Sequence, residues 1–211
     1  MSKSPSSSPA FPVREFFARF PDEAACLDHI MTVRFGGTTM FCEACGVEGA
    51  FHKLRDRRVY ACPNCLHQIA PTANTILHDT RTPLVSWFYA MFLFATTRHG
   101  VSGKELQRQL GVTYKTAYRI GMKVRELMGD GYIHGAVKHA AKEWSRYDYR
   151  QGVTHSTNSV EAFWRLFKAS VRSTHIQISG KHMQRYLDEF TFRANHRERV
   201  NAMFDLMVGA L

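Results

Sequence analysis

Cys42-x2-Cys45 and Cys62-x2-Cys65 set two pairs of soft metal ligands sixteen residues apart. That spacing lets two tight knuckles close on one tetrahedral zinc ion. Each pair sits beside a turn former: Gly46 follows the first, and Pro63-Asn64 lies inside the second. Four thiolates fill the coordination sphere, so such an ion holds a fold together and leaves no position at which to activate water. Spacing this regular argues against four free or disulfide-bonded cysteines. Cys26 stands apart in a helical pattern and is expected to be a buried structural thiol.

A second set of chemically capable residues lies in the C-terminal third. Ser156 or Thr157 is placed to cap a helix running to about Val171. Val160, Phe163, Trp164, Phe167 and Val171 form its apolar stripe, while Asn158, Glu161, Arg165 and Lys168 share another face. By pattern alone this is an amphipathic helix with an i, i+4 Glu161–Arg165 ion pair. A further helix is expected from about Lys181 to Asn195. Met183, Tyr186, Leu187, Phe190 and Ala194 lie on its apolar face, and Asp188, Glu189 and Arg193 face solvent or DNA.

The elements between these two regions read as a helix-turn-helix. Ser102 caps a short helix carrying Glu105, Leu106 and Leu110, Gly111-Val112 makes the turn, and Thr113 caps a second helix from Tyr114 to about Met128. Ala117, Ile120, Val124 and Leu127 give that helix an apolar stripe for docking. Lys115, Arg119, Lys123 and nearby Tyr118 lie on another face, the arrangement needed to enter a major groove. Arg55, Arg57 and Arg58, between the cysteine pairs, suit either a phosphate backbone or a solvated turn. Upstream, Pro21-Asp22-Glu23 opens a helix that Gly36-Gly37 ends, and Pro83 starts a strongly apolar core helix reaching about Thr97.

Bulk properties agree with a nucleic-acid partner. The 211 residues carry a formal net charge of +10, and a basic excess favours polyanions because neutralising phosphates releases counterions. An apolar fraction of 45% is enough for packed cores. No run of about eighteen apolar residues indicates a membrane span. The Ser/Pro-rich start lacks the apolar centre of a secretory signal and reads as a disordered lead-in. The expected location is the cytoplasm, in association with the bacterial nucleoid.

The order of these features resembles the bacterial insertion-sequence transposases that carry a zinc ribbon, a helix-turn-helix and an acid-triad (DDE-type) core of RNase H-like fold. The resemblance begins at Phe20-Pro21-Asp22-Glu23-Ala24-Ala25-Cys26-Leu27 and runs through the ribbon to Leu110-Gly111-Val112-Thr113-Tyr114-Lys115. It resumes at His155-Ser156-Thr157-Asn158-Ser159-Val160-Glu161 with Lys168, and ends at Arg185-Tyr186-Leu187-Asp188-Glu189-Phe190. It implies double-stranded DNA, the terminal inverted repeats of an element, as partner, a structural zinc ion, and Mg²⁺ or Mn²⁺ wherever catalysis survives. In such proteins two aspartates and a third acid hold two metal ions that cleave and join DNA strands. Carried over, Glu161 is the third acid, Lys168 contacts the DNA end, and Asn158 is a weaker metal-side candidate.

One departure bears on mechanism. Only 27 residues, Gly129 to His155, separate the second helix of the helix-turn-helix from the Glu161 helix. A five-stranded RNase H-like sheet needs on the order of 50 residues. Two or three short strands fit, with Tyr132-Ile133 and Trp144 to Tyr149 as candidates. Asp130 and Asp148 are poor matches to the missing aspartates, so an internal deletion in the core is inferred.

The expected fold is mainly α with a small β zinc ribbon, a helix-turn-helix, and a remnant of an α/β RNase H-like core with C-terminal helices. Its expected parts are a disordered lead (1–15), an N-terminal helix and ribbon (16–80), the helix-turn-helix region (81–130) and the core remnant (131–211). The expected function is that of a DNA-binding insertion-sequence transposase with impaired catalysis. The alternatives are a non-enzymatic zinc-ribbon and helix-turn-helix regulator, and an active metal-dependent transposase using Asp130 or Asp148 with Glu161. A helix stripe left without its sheet exposes apolar surface, so a homo-oligomer is expected.

Overall fold

A computed structural model describes residues 11–55, 57–97, 100–129, 145–148, 153–175, 178–197 and 200–211. Among these, two short helices lead the chain, α1 (Val13–Arg19) and α2 (Glu23–Phe35). Asp22 caps α2, its carboxylate accepting the Ala25 N–H at 2.8 Å. That satisfies a backbone donor which the helix itself cannot pair. Residues 1–10 of the expected lead-in lie outside the described residues. Residues 11–15 belong to the fold: Phe11 packs its ring edge on Phe92, 5.3 Å between centroids, and α1 begins at Val13.

The ribbon follows as two small antiparallel sheets. β1 (Thr39–Phe41) pairs with β2 (Glu48–Ala50), and β3 (His52–Lys53), β4 (Tyr60–Ala61) and β5 (Gln68–Ile69) form the second in that order. Strands this short supply little stability of their own.

Helix α3 (Leu84–Thr96) is the centre of the molecule, with Pro83 at its N-cap. Leu84, Trp87, Phe88, Ala90, Met91, Phe92, Phe94 and Ala95 are all buried. A helix apolar on nearly every side must be enclosed by other elements. α2 packs on it from one side. α8 (Val200–Gly209), which the sequence pattern did not single out, packs on another. Phe204 of α8 inserts among Phe16, Phe20 and Phe88, with ring centroids 5.5–6.1 Å away.

α4 (Gly103–Leu110) and α5 (Tyr114–Leu127) form the expected helix-turn-helix. Ser102 accepts the Glu105 N–H at 3.1 Å and Thr113 the Thr116 N–H at 3.4 Å, as the sequence signals implied. Gly111, at φ 64°, turns the chain between the two helices. Ala117, Ile120 and Val124 are buried and Leu127 packs beside them.

The C-terminal region opens with an antiparallel hairpin, β6 (Ser145–Asp148) with β7 (Val153–Ser156). β6 falls within the strand expected around Trp144 to Tyr149, whereas Tyr132-Ile133 lie outside the described residues. α6 (Thr157–Ser170) ends in a π-helical turn, Val171–His175, and a 3₁₀ turn, Gly180–His182, leads into α7 (Met183–Asn195). Phe167 of α6, Tyr186 and Phe190 of α7 and Met122 of α5 make a second, smaller core. Two expectations are corrected here. Trp164 was placed on the buried stripe of α6 but is 43% exposed, because it lies to one side of the face that Phe163, Phe167 and Val171 turn to the second core. Glu189 and Arg193 were placed facing solvent but are buried, for the reason given below. No helix among the described residues is long and apolar enough to cross a membrane.

Candidate zinc centre and nucleic-acid interface

The four cysteine sulfurs lie within 4.8 Å of one another. Cys42 Sγ is 3.6 Å from Cys65 Sγ, and Cys45 Sγ is 3.8 Å from Cys62 Sγ. A tetrahedron of Zn–S bonds about 2.3 Å long has edges of about 3.8 Å, so the cluster has the size of a zinc site. Both knuckles are built alike. The Gly46 N–H donates to the Cys42 carbonyl at 2.8 Å and the Leu66 N–H to the Cys62 carbonyl at 3.1 Å. Each closing residue is left-handed, Gly46 at φ 70° and Leu66 at φ 61°.

Backbone amides prepare the sulfurs for a cation. The Cys65 N–H, against burial and together with the Asn64 N–H, holds the Cys62 thiol down at about 7. The Val47 N–H favours a thiolate at Cys45, yet burial and the crowded sulfurs of Cys65, Cys42 and Cys62 outweigh it and push that thiol up to about 12. Four sulfurs this close cannot all carry charge until a cation neutralises them. Among the described residues these cysteines are the one group of three or more His, Cys, Asp or Glu placed to hold a metal. The ion is structural Zn²⁺.

The three arginines between the cysteine pairs part company. Arg55 and Arg57 are exposed. Arg58 turns inward: its Nη2 lies 2.5 Å from Glu23 Oε1, and its guanidinium donates to the carbonyls of Thr80 at 2.6 Å and Thr82 at 3.3 Å. The same Glu23 accepts the Leu84 N–H at 2.7 Å, so Arg58 and Glu23 tie the ribbon to the start of α3. Tyr60 adds a hydrogen bond to Asp28 of α2.

On α5, Lys115 and Arg119 are exposed. Lys123 Nζ is 3.2 Å from Glu126, which also lies 3.7 Å from Arg185 of α7. Tyr118 leans on the second core and meets the His182 ring edge-on at 5.9 Å. The four residues expected to meet DNA therefore differ in freedom, Lys115 and Arg119 being the open ones.

Glu161 and Lys168 are exposed on one face of α6, in a shallow groove shared with Trp164, Arg165, Ala169 and Arg172. Along this groove α6 thus presents Glu161 with three cations and an indole, and no second carboxylate among the described residues. Asn158 lies in the first turn of α6, and Asp148 ends β6. Asp130 is outside the described residues.

The sequence reading missed a buried ionic cluster that fastens α5 to α7. Arg125 Nε is 2.6 Å from Glu189 Oε2, and Arg193 Nη2 is 3.0 Å from Glu189 Oε1. Arg125 also donates to the Val101 carbonyl at 2.8 Å, and Arg193 to the carbonyl and hydroxyl of Thr97. Burial alone would raise the Glu189 carboxyl, but Arg125 and Arg193 outweigh it and hold it below the usual glutamate range. The Arg125 guanidinium is sandwiched by aromatic rings, 4.1 Å from the Tyr186 centroid and 4.9 Å from that of Phe94. A Cβ at Gly100 would lie 2.6 Å from Glu189 Oε1, so only glycine fits there. One signal for this cluster was in the sequence. Arg125 follows Ala117 and Gly121 at four-residue steps, which puts it in the row of α5 that approaches its neighbours most closely.

A zinc ribbon joined to a helix-turn-helix defines a DNA-binding protein. A family model for the ISXO2-like transposase domain matches residues 123–195, and one for the transposase zinc-ribbon domain matches residues 21–68. Together the two matches support an insertion-sequence transposase with an N-terminal zinc ribbon. The first match starts inside α5 and ends with α7, and the second runs from the start of α2 into β5, so α3 and α4 lie between them. No curated protein and no solved structure matches the chain.

Proposed function

We infer that this transposase binds the terminal repeats of its element through α5 and the ribbon, and no longer transfers strands. The surroundings of Glu161 carry the reading: its groove holds Arg165, Lys168, Arg172 and Trp164, which offer phosphate contacts, and among the described residues no second carboxylate for a two-metal site. The short connection supports it, since 27 residues from Gly129 to His155 hold a single hairpin in their described part. Lys115, Arg119, Tyr118 and Lys123 contact the major groove, with Arg55 and Arg57 on the backbone. Arg58 serves the fold.

Self-association belongs to the same reading. Trp164 and Leu166 leave α6 with apolar surface that a second copy can cover. A basic, DNA-bound protein of this kind resides on the nucleoid.

The test is strand cleavage of the inverted-repeat ends with Mg²⁺ or Mn²⁺, beside a Glu161→Ala control. Salt-dependent binding without cleavage is expected. Cleavage that disappears in Glu161→Ala would establish a working acid site completed by Asp130 or Asp148 and overturn the reading.

A further inference from the structure

A groove of about 430 Å³ runs between the helix-turn-helix and the segment joining α6 to α7. Lys104, Tyr114 and Tyr118 stand on one side, and Thr174, Ser179 and His182 on the other. No carboxylate lines it among the described residues, so this wall favours an anion over a cation. Its volume lies in the range of small-molecule sites, roughly 300–1,000 Å³.

The aromatic surface available to a ligand is specific. Tyr186, at the inner end, is already covered, with Arg125 over its face and the His175 ring at 4.7 Å. Tyr114 is 49% exposed, and its ring centroid lies 6.1 Å from that of Tyr118. Tyr118 in turn meets His182 edge-on. One open tyrosine ring with a half-buried one beside it, a lysine, and hydroxyl groups opposite, with nothing acidic among the described residues, fit a planar ring joined to a phosphate. Bases stack on aromatic side chains whatever their sequence, while cations track the backbone.

Position narrows the choice further. Tyr114 is the first residue of α5, and the exposed Lys115 follows it. A base inside intact duplex has both faces stacked on its neighbours, whereas an unpaired nucleotide has a bare face to offer. We propose that this groove takes one unpaired nucleotide of the bound DNA, its base against Tyr114 and Tyr118 and its phosphate toward Lys104. The proposal rests on the reading of α5 as the DNA-contacting helix. Because the groove has one wall on the helix-turn-helix and the other on the C-terminal core, a nucleotide seated there is gripped by both.

The experiment uses the zinc-loaded full chain and two probes at low salt, read by fluorescence anisotropy. One is a thymidine oligonucleotide of about twelve residues, within the usual single-strand site size. The other is a blunt duplex of similar length. The chain is expected to bind both. Tyr114→Ala and His182→Ala are expected to weaken the thymidine strand by about 5- to 100-fold, the range that loss of one stacked base produces, and to change duplex binding less than about twofold. Lys104→Ala, at an exposed position that leaves the core untouched, should also weaken the strand. Unchanged strand binding in all three variants, or equal loss on strand and duplex, overturns the proposal. A wild-type chain that binds duplex but no thymidine strand overturns it alone. Binding to neither probe would remove the reading of α5 as well.

Discussion

Arg125 Nε of α5 sits 2.6 Å from Glu189 Oε2 of α7, with the two side chains 3% and 0% exposed. The contact joins the helix-turn-helix to the C-terminal core, and Arg193 completes a cluster of two cations on one anion. Breaking a buried ion pair by removing one partner costs about 3–5 kcal/mol, whereas replacing the whole group by apolar side chains is often neutral. Glu189→Ala is therefore expected to lose stability in that range on urea denaturation. Replacing Arg125, Glu189 and Arg193 together by Met, Leu and Met should lose far less. A Glu189→Ala loss below about 1 kcal/mol would mean that the two arginines are not held by that carboxylate.

His175 predicts how stability responds to acid. Burial lowers it first, Glu189 opposes, and Arg125 and Arg193 lower it further, to about 4 from 6.5. His29 moves the same way, through burial and Arg19 against Asp205. For a base depressed in the folded state, the unfolded chain binds more protons between the two values, so stability falls as pH drops from about 6.5 toward 4. Urea midpoints between pH 7 and 5 should decline, and His175→Phe should flatten the decline. An equal slope in the variant would assign the pH response to other groups.

Metal removal should separate the five cysteines into two kinds. Burial, then Glu23 and Asp22, push the Cys26 thiol up to about 12 against the pull of Lys53, and its side chain is fully buried. A chelator that removes the zinc should expose four thiols to a maleimide reagent, leaving Cys26 unlabelled until the chain is denatured. Cys65→Ser is expected to lose the stoichiometric zinc and Cys26→Ser to keep it, read by metal analysis. Labelling of Cys26 together with the other four would show that the ribbon metal also holds α2 on α3.

The ribbon and the helix-turn-helix were legible because each is written in local signals. Cysteine spacing, the Asp22, Ser102 and Thr113 caps, and the stripe of Ala117, Ile120 and Val124 all act within a few residues. The Glu189–Arg193 pair was misplaced because i, i+4 charges look the same on a surface as in a core. What buries them is Arg125, 64 residues earlier in the chain. Trp164 failed for the converse reason: α6 has the period of a buried stripe, but helical period does not say how far round the helix a partner surface extends. α8 is short and apolar, and it becomes meaningful only when α3 places Phe88 beside Phe204.

The paired knuckles differ at one residue, and that difference should be measurable. Gly46 and Leu66 close equivalent turns at φ 70° and 61°, a region that costs a residue with a Cβ about 1–2 kcal/mol. Leu66 is 67% exposed, so it recovers little of that cost by packing. Leu66→Gly is expected to tighten zinc in a chelator competition and Gly46→Ala to loosen it, each by several-fold. A weaker ribbon on Leu66→Gly would mean that the leucine side chain makes a contact worth more than its strain.

The basic face of α5 should reveal its role through salt. Lys115 and Arg119 are exposed and have no ion pair among the described residues, while Lys123 is held 3.2 Å from Glu126. A lysine already neutralised by a carboxylate must leave it to meet a phosphate, so its contribution to DNA affinity is reduced. Each phosphate contact adds about 0.9 to the slope of log K against log salt. Lys115→Ala and Arg119→Ala are each expected to lower that slope by about this amount on a duplex carrying the inverted repeat. Lys123→Ala should lower it by less, and Glu126→Ala, which frees both Lys123 and Arg185, should raise affinity. If Lys123→Ala matched Arg119→Ala and Glu126→Ala had no effect, Lys123 would meet the phosphate directly and Glu126 would be a bystander on the helix surface.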